Sequence, residues 1–276
     1  TEFFYRCSTV YHLFAGWVYN NLISLSPYFE KIVKYLSLLY EMKNVCTMTN
    51  IHPEVLLENM ASTTMTKTSL QIVLDVLFNC ETNDYFNNAH GLKIQLHFIE
   101  SLYFIHIYSL TKEQITDIVT FVKNLLYYKG SLEVREQAGK VLSGIIHTMG
   151  EDTPLIKELC FVFEKQIKKA GGSLSDKAIY VNKSKKKEAQ IHGALIGISS
   201  VVNAFPYIQP IPQWIPENLS ILSRWTRFTG FIGTTAKNSI SDFKKNRSDT
   251  WHLDKESFSL DQLEDLEGVN WRSYYA

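Results

Sequence analysis

Apolar residues recur at threes and fours along most of the chain. Ile115, Ile118, Val119, Val122, Leu125 and Leu126 fall on one stripe of a 3.6-residue period, and Thr111 with Gln114 forms the capping-box pattern that opens a helix before them. Thr153 as N-cap and Pro154 in the first turn predict a second helix, with Leu155, Leu159, Val162 and Ile167 facing inward. Similar stripes occur at Leu70, Val73, Leu74 and Leu77, and at Ile32, Leu36 and Leu39. Helical periodicity outweighs strand alternation in nearly every segment. The pattern predicts an all-α chain with short connections.

Some of these helices resemble one another. Ile94, Phe98, Leu102 and Ile105 are spaced four, four and three, and Val134, Ala138, Leu142 and Ile145 repeat that spacing forty residues later. Ala194, Ile198 and Val201 form a third copy, fifty-six residues beyond the second. The sixteen extra residues fall in the polar, Lys-rich stretch between Lys168 and Lys187, which reads as a loop inserted between helices. A period near forty with two helices per period is the signature of HEAT-like solenoids, whose helix pairs bury their faces only by stacking on neighbours. An irregular helical domain is the alternative. Phe205-Pro206-Tyr207 followed by Pro210, Pro212 and Pro216 reads as a rigid elbow between two helix pairs.

Composition narrows the classes. With 276 residues and 45% apolar content the chain can bury a sizeable core. Lys plus Arg and Asp plus Glu number 28 each, so no global field draws in nucleic acid or an anionic membrane. Cys7, Cys46, Cys80 and Cys160 lie more than thirty residues apart, which fits neither a CxxC metal site nor a dense disulfide framework; reduced thiols in an intracellular protein are the simpler reading. No window of about twenty uninterrupted apolar residues occurs. The N-terminus TEFFYRCSTVYHL has neither an initiator Met nor the regions of a signal peptide, so the chain reads as the C-terminal piece of something longer.

Candidate chemistry is sparse. Eight histidines are present, but His90, His97 and His106 are seven and nine residues apart and no HExxH or His/Cys cluster accompanies them. A GxSxG elbow, a Walker loop and a GxGxxG turn are likewise absent from the sequence. The chain is therefore expected to be no enzyme, with no cofactor and no metal. Lys183, Lys185, Lys186 and Lys187, with Lys168 and Lys169 before the Gly171-Gly172 turn, make the one dense basic segment. A solvated loop is its plain reading; contact with a polyanion is the alternative, without the interleaved aromatics that base stacking needs.

Two stretches carry a family resemblance. HGALIGISSVVNAFPYIQPIPQWIPENLSIL, His192 to Leu222, and ISDFKKNRSDTWHLDKESFSLDQLEDL, Ile240 to Leu266, with Phe243, Trp251, Phe258 and Asp261-Gln262-Leu263, resemble the C-terminal region of the giant ATP-independent HEAT-repeat proteasome activators, the proteasome activator complex subunit 4 type. The resemblance is specific over roughly the last ninety residues, and the sequence ends on Tyr-Tyr-Ala as those activators do. It divides the chain into HEAT-like repeats at 1–169, the Lys-rich loop at 170–187, activator-type C-terminal repeats at 188–268 and a docking tail at 269–276.

The resemblance implies a segment without catalysis of its own that caps the proteasome core particle and promotes gate opening without ATP. In that family a hydrophobic-Tyr-X tail enters a pocket between two α-subunits. Carried over, Tyr274 is the hydrophobic position, Tyr275 the penultimate Tyr, and Ala276 supplies the carboxylate that a pocket Lys would pair with. The resemblance further implies residence in nucleus and cytoplasm and acetylated histones among the substrates, although no residue here is assigned to an acetyl-lysine pocket. Neither a membrane nor a specific nucleic acid is an expected partner. A charge-assisted bond to the carboxylate contributes about 1.5 to 3 kcal/mol, and burying a Tyr at most about 4 to 6 kcal/mol, much of it offset by immobilisation. One tail thus binds weakly unless a broader surface docks beside it. The alternatives are a HEAT scaffold or transport receptor that holds a folded partner on its concave surface, and a terminus captured by a PDZ-like groove.

Overall fold

The computed structural model of the chain describes residues 2–20, 26–34, 53–79, 86, 88–171, 185–267 and 269. Every regular element among the described residues is helical. In order these are α1 (Glu2–Tyr19), α2 (Pro53–Ala61), α3 (Lys67–Phe78), α4 (Ala89–His106), α5 (Lys112–Leu125), α6 (Leu132–Met149), α7 (Pro154–Gly171), α8 (Lys185–Asn203), α9 (Trp214–Ser223), α10 (Phe231–Asn246), α11 (Trp251–Asp254) and α12 (Leu260–Glu267), with 3-10 turns at Ser26–Tyr28 and Lys255–Ser257. The all-α class expected from periodicity is what the structure shows. Among the described residues no helix is long and apolar enough to cross a membrane. The chain forms two compact units, Thr1–Phe121 and Val122–Ala276, the division falling within α5.

In the first unit α2 packs on α1 and α4, and α3 on the turn at Ser26–Tyr28. Thr66 caps α3 by accepting from the Ser69 amide (3.1 Å), and Asn88 caps α4 by accepting from the Gly91 amide (2.8 Å). The predicted capping box at the start of α5 is present: Gln114 N–H donates to Thr111 Oγ1 (3.2 Å) and Thr111 N–H to Gln114 Oε1 (3.0 Å). Leu70, Val73, Leu74 and Leu77 are all buried, as their spacing predicts. Ile105 departs from expectation and is 48% exposed. The buried face of α4 is centred on Gln95, Ile99, Leu102 and His106, so the line through Ile94, Phe98 and Ile105 runs along its edge. His106 Nε2 donates to the Ala61 carbonyl (3.0 Å) and takes the inward position of the last turn.

The second unit is organised around α8, which packs against α6, α7, α9 and α10, while α9 also meets α10 and α12. Every residue from Ile191 to Val202 is buried. The stripes Val134, Ala138, Leu142, Ile145 and Ala194, Ile198, Val201 lie fully inside, and the helices that carry them are direct neighbours. The successive helices α6, α8 and α10 thus form one row with α7, α9 and α12 beside it, the HEAT-like arrangement that a period near forty predicts. On α7 the buried line is Ile156, Leu159, Phe163 and Ile167, with Leu155 and Val162 half-buried on its flank. Phe163 is drawn in because Gly197 of α8 leaves room for its ring.

The connections follow the sequence in part. Residues 204–213 join α8 to α9 as the predicted elbow, held by His147 Nδ1–H donating to the Ala204 carbonyl (2.7 Å) and Arg247 Nη2 donating to the Ile208 carbonyl (2.8 Å). The expected insertion at 170–187 is shorter at both ends, since α7 continues through Gly171 and α8 begins at Lys185. Its residues 172–184 lie outside the described residues, as do Leu36 and Leu39.

Close approach around α8 rests on a missing side chain. A β-carbon at Gly193 would lie inside contact distance of the Leu126 backbone carbonyl, which cannot swing away as a side chain would. Gly193→Ala is therefore expected to destabilise the protein by about 1 to 3 kcal/mol in chemical denaturation, although alanine is the better helix former. A neutral or stabilising result would show that α8 is not pinned there.

Candidate functional site at the base of the C-terminal segment

Residues 243–269 build a compact base from which the chain enters its last seven residues. Trp251 meets Phe258 edge-on at 5.5 Å between ring centroids, and Phe258 lies 6.4 Å from Phe243. The pattern residues Phe243, Trp251 and Phe258 thus make one aromatic cluster under α11 and the turn after it. Ser259 and Gln262 form a capping box at the start of α12, Ser259 N–H donating to Gln262 Oε1 (2.9 Å) and Gln262 N–H to Ser259 Oγ (3.3 Å). Ser220 Oγ–H of α9 donates to Asp265 Oδ2 (2.6 Å), which ties α12 to the α9 row.

Charged groups close the base from inside. Arg247 and Asp254 pair at 3.2 Å with side chains 1% and 3% exposed. Thr250 Oγ1–H donates to Asp254 Oδ2 (2.6 Å), and the Arg247 guanidinium lies 5.2 Å over the Phe243 ring. Lys244 Nζ donates to the Leu266 carbonyl (2.8 Å) and so places a cation at the C-terminus of α12, where the helix dipole favours it. Burial holds the Lys244 ammonium below its ordinary pKa, and Glu267 opposes that shift. Leu266 and Val269 are buried, and the Val269 amide donates to the Leu266 carbonyl (3.2 Å). The chain is therefore anchored up to the residue before Asn270.

Tyr274, Tyr275, Ala276 and Lys183 lie outside the described residues. Lys185 opens α8, and Lys186 and Lys187 are exposed in its first turn, a helix end whose dipole does not favour cations. Lys168 pairs with Glu164 (2.5 Å). His90, His97 and His106 do not converge: His97 Nε2 pairs with Glu58 (2.6 Å) while His106 bonds the Ala61 carbonyl. Among the described residues no group of three or more His, Cys, Asp or Glu could hold a metal ion.

One polar relay was not anticipated from the sequence. Arg135 Nε–H of α6 donates to His192 Nδ1 of α8 (3.0 Å), and Arg135 Nη1 donates to the Tyr128 carbonyl (2.8 Å). Because Nδ1 accepts, the proton of neutral His192 sits on Nε2, which donates to Thr235 Oγ1 of α10 (2.9 Å). Phe231 covers one side of the pair, its ring 4.8 Å from the imidazole and 5.6 Å from the guanidinium. Burial, then the adjacent Arg135, push the His192 pKa down to about 3. The signal available in the sequence was an Arg and a His set into the apolar stripes of two copies of the repeat.

Grooves open on the second unit among the described residues. One of about 440 Å³ runs over α6, α8 and α10 past Gly139, Ser143, Ser199, Ser200 and Asn238. Another, of about 810 Å³, lies between α7 and α9 beside the start of α12. The geometry defines a HEAT-like helical segment with an anchored C-terminal base.

Comparison with known proteins places that class in a family. The family profile described as "Proteasome activator complex subunit 4-like, C-terminal" matches residues 188–276. Proteasome activator BLM10 of Saccharomyces cerevisiae is 36% identical over 282 residues, covering 100% of this chain and 13% of that protein. Proteasome activator subunit 4 of Arabidopsis thaliana is 29% identical over 181 residues (65% of this chain, 10% of that protein), and human proteasome activator complex subunit 4 is 28% identical over 182 residues (63% and 9%). The chain belongs to this proteasome activator family, as part of its C-terminal region. It spans about a tenth of the length of these relatives. They are named as proteasome activators.

Two outcomes follow from the charged interior. Between pH 6.5, the ordinary value for His192, and about 3, the unfolded chain binds a proton that the folded protein excludes, so stability falls as pH drops through that window. Over the whole window the loss is expected to be about 3 to 5 kcal/mol, and urea midpoints measured against pH should show a component that His192→Gln lacks. Asp254→Ala, which strands the Arg247 guanidinium, is expected to cost about 3 to 5 kcal/mol in thermal or chemical denaturation.

Proposed function

We propose that the chain is the C-terminal segment of an activator that caps the proteasome core particle and promotes gate opening without ATP, its Tyr274-Tyr275-Ala276 tail entering a pocket between two α-subunits. The observation that carries this reading is the anchored base: in a segment matching the family's C-terminal profile, Leu266 and Val269 are buried and the Val269 amide donates to the Leu266 carbonyl, directly before the tail. The seven residues beyond Val269 reach at most about 23 Å at ~3.3 Å each, enough for a pocket below a docking surface. Tyr274 and Tyr275 supply buried aromatic area, and Ala276 supplies the carboxylate. The segment does no bond chemistry; it favours the open gate by binding that arrangement better. Since one such tail binds weakly, the helical surface beside it supplies the remaining grip through linkage. Residence in nucleus and cytoplasm, and acetylated histones among the substrates, belong to the same proposal. The similarity to proteins named as proteasome activators supports it.

Peptide hydrolysis by latent core particle tests the proposal, with the full-length parent protein intact, with Tyr275→Ala, and with Tyr274 to Ala276 deleted. Intact protein is expected to stimulate hydrolysis, and both variants to lose most of that stimulation while retaining part of the binding. Variants that stimulate as well as the parent would overturn the tail's role. A parent that binds core particle without stimulating it would instead favour a scaffold.

A further inference from the structure

The groove between α7 and α9 has no part in the activator reading. Phe161 of α7 is 64% exposed at its edge, with Trp214 and Ile221 of α9 half-buried along the facing wall. A lone exposed ring is ordinary on a protein surface. This one adjoins a cavity of about 810 Å³, a size that admits a few residues of an extended chain. Asn218 of α9 donates to Cys160 Sγ of α7 (3.2 Å) and to the Trp214 carbonyl (2.7 Å), so the two walls are fastened to each other at the floor. The cavity is preformed.

Its charges are unbalanced. Lys157, Phe161 and Lys165 recur at steps of four, so about one turn of α7 separates each cation from the ring, and Lys165 Nζ lies 6.0 Å over it. Arg224 stands exposed on the α9 wall. Lys157, Lys165 and Arg224 form no ion pair among the described residues. The carboxylates in the lining are already compensated: Glu164 pairs with Lys168, and Glu217 sits in the first turn of α9, where the helix dipole favours a negative charge. The surplus at the groove is therefore positive. The side-chain amide of Gln213 and the amide nitrogen of Gln262, whose oxygen accepts from Ser259, add hydrogen-bonding groups without a partner among the described residues.

We propose that this groove docks a short acidic segment of a partner protein, with one large apolar side chain against Phe161 and Trp214 and carboxylates beside Lys157 and Arg224. Gln213 and Gln262 bond the main chain of the segment, so its sequence enters through the apolar anchor and the flanking charges. Exposed ion pairs contribute little each and are screened by salt. The anchor thus supplies most of the affinity, and the cations select the partner.

Panning a phage-displayed library of random peptides on the full-length parent protein, and on the same protein carrying Phe161→Ala with Arg224→Glu, tests the proposal without any core particle. Its failure would leave the activator reading standing, and the hydrolysis assay can fail without touching it. The parent is expected to enrich peptides with Asp or Glu on both sides of one Phe, Trp or Leu, and the variant to lose them. An enriched peptide labelled with fluorescein is expected to bind the variant about tenfold more weakly by anisotropy, and the parent more weakly as salt is raised. Both substituted residues are exposed, so an unchanged melting curve is expected. Lys157→Glu, on the other wall from Arg224, gives an independent variant with an expected loss of about threefold. Peptides held equally by parent and variants, or enriched peptides that are basic, would overturn the proposal. So would a dimer of the parent that these substitutions dissolve, which would assign the groove to a second copy of the chain.

Discussion

Close approach along α8 is the constraint on which the second unit depends. A helix buried on every residue from Ile191 to Val202 must meet neighbours on all sides, and it does so in α6, α7, α9 and α10. Bulky side chains all round would hold those neighbours apart. Gly193 admits the backbone at Leu126, Gly197 admits the ring of Phe163, and Ser200 Oγ–H donates to the Gly139 carbonyl (2.8 Å) across the α6 contact. Ser199 and Ser239 bond to each other across the α10 contact. Small residues on α8 thus convert a row of amphipathic helices into one shared core, as a repeat architecture requires.

Polar groups inside that core have to be satisfied, and the way they are satisfied sets the register of the row. Arg135, His192 and Thr235 come from three successive helices of it and bond end to end. Sliding one helix by a residue would strand a buried guanidinium or an imidazole, a cost larger than the net value of any one of these bonds. The same logic recurs at the end of the chain. Arg247 with Asp254, and Lys244 with the Leu266 carbonyl, hold α10, α11 and α12 so that Leu266 and Val269 stay buried.

Helix positions were legible in the sequence because they follow from local chemistry. The capping box at Thr111, Pro154 in its first turn and the stripes on α3, α6 and α8 depend on residues three or four apart, and the structure shows them as read. The family resemblance was legible too, since it rests on a linear string of residues from His192 to Leu266. Misreadings arose where burial depends on a neighbour. Ile105 lies on the stripe but at the margin of the contact, and Phe163 rather than Val162 turns inward because a glycine of another helix receives it.

By itself, then, the sequence determined the helical class, the helix boundaries that caps and prolines set, a repeat near forty residues, and the family of the C-terminal region. Only the tertiary structure decided that α8 is the helix surrounded on all sides, that Arg135, His192 and Thr235 meet, and that Lys244 closes the end of α12. Spacing along one helix is a local property with a fixed period. Which side chains of different helices touch depends on how closely whole helices approach, and that distance is set by the small residues between them.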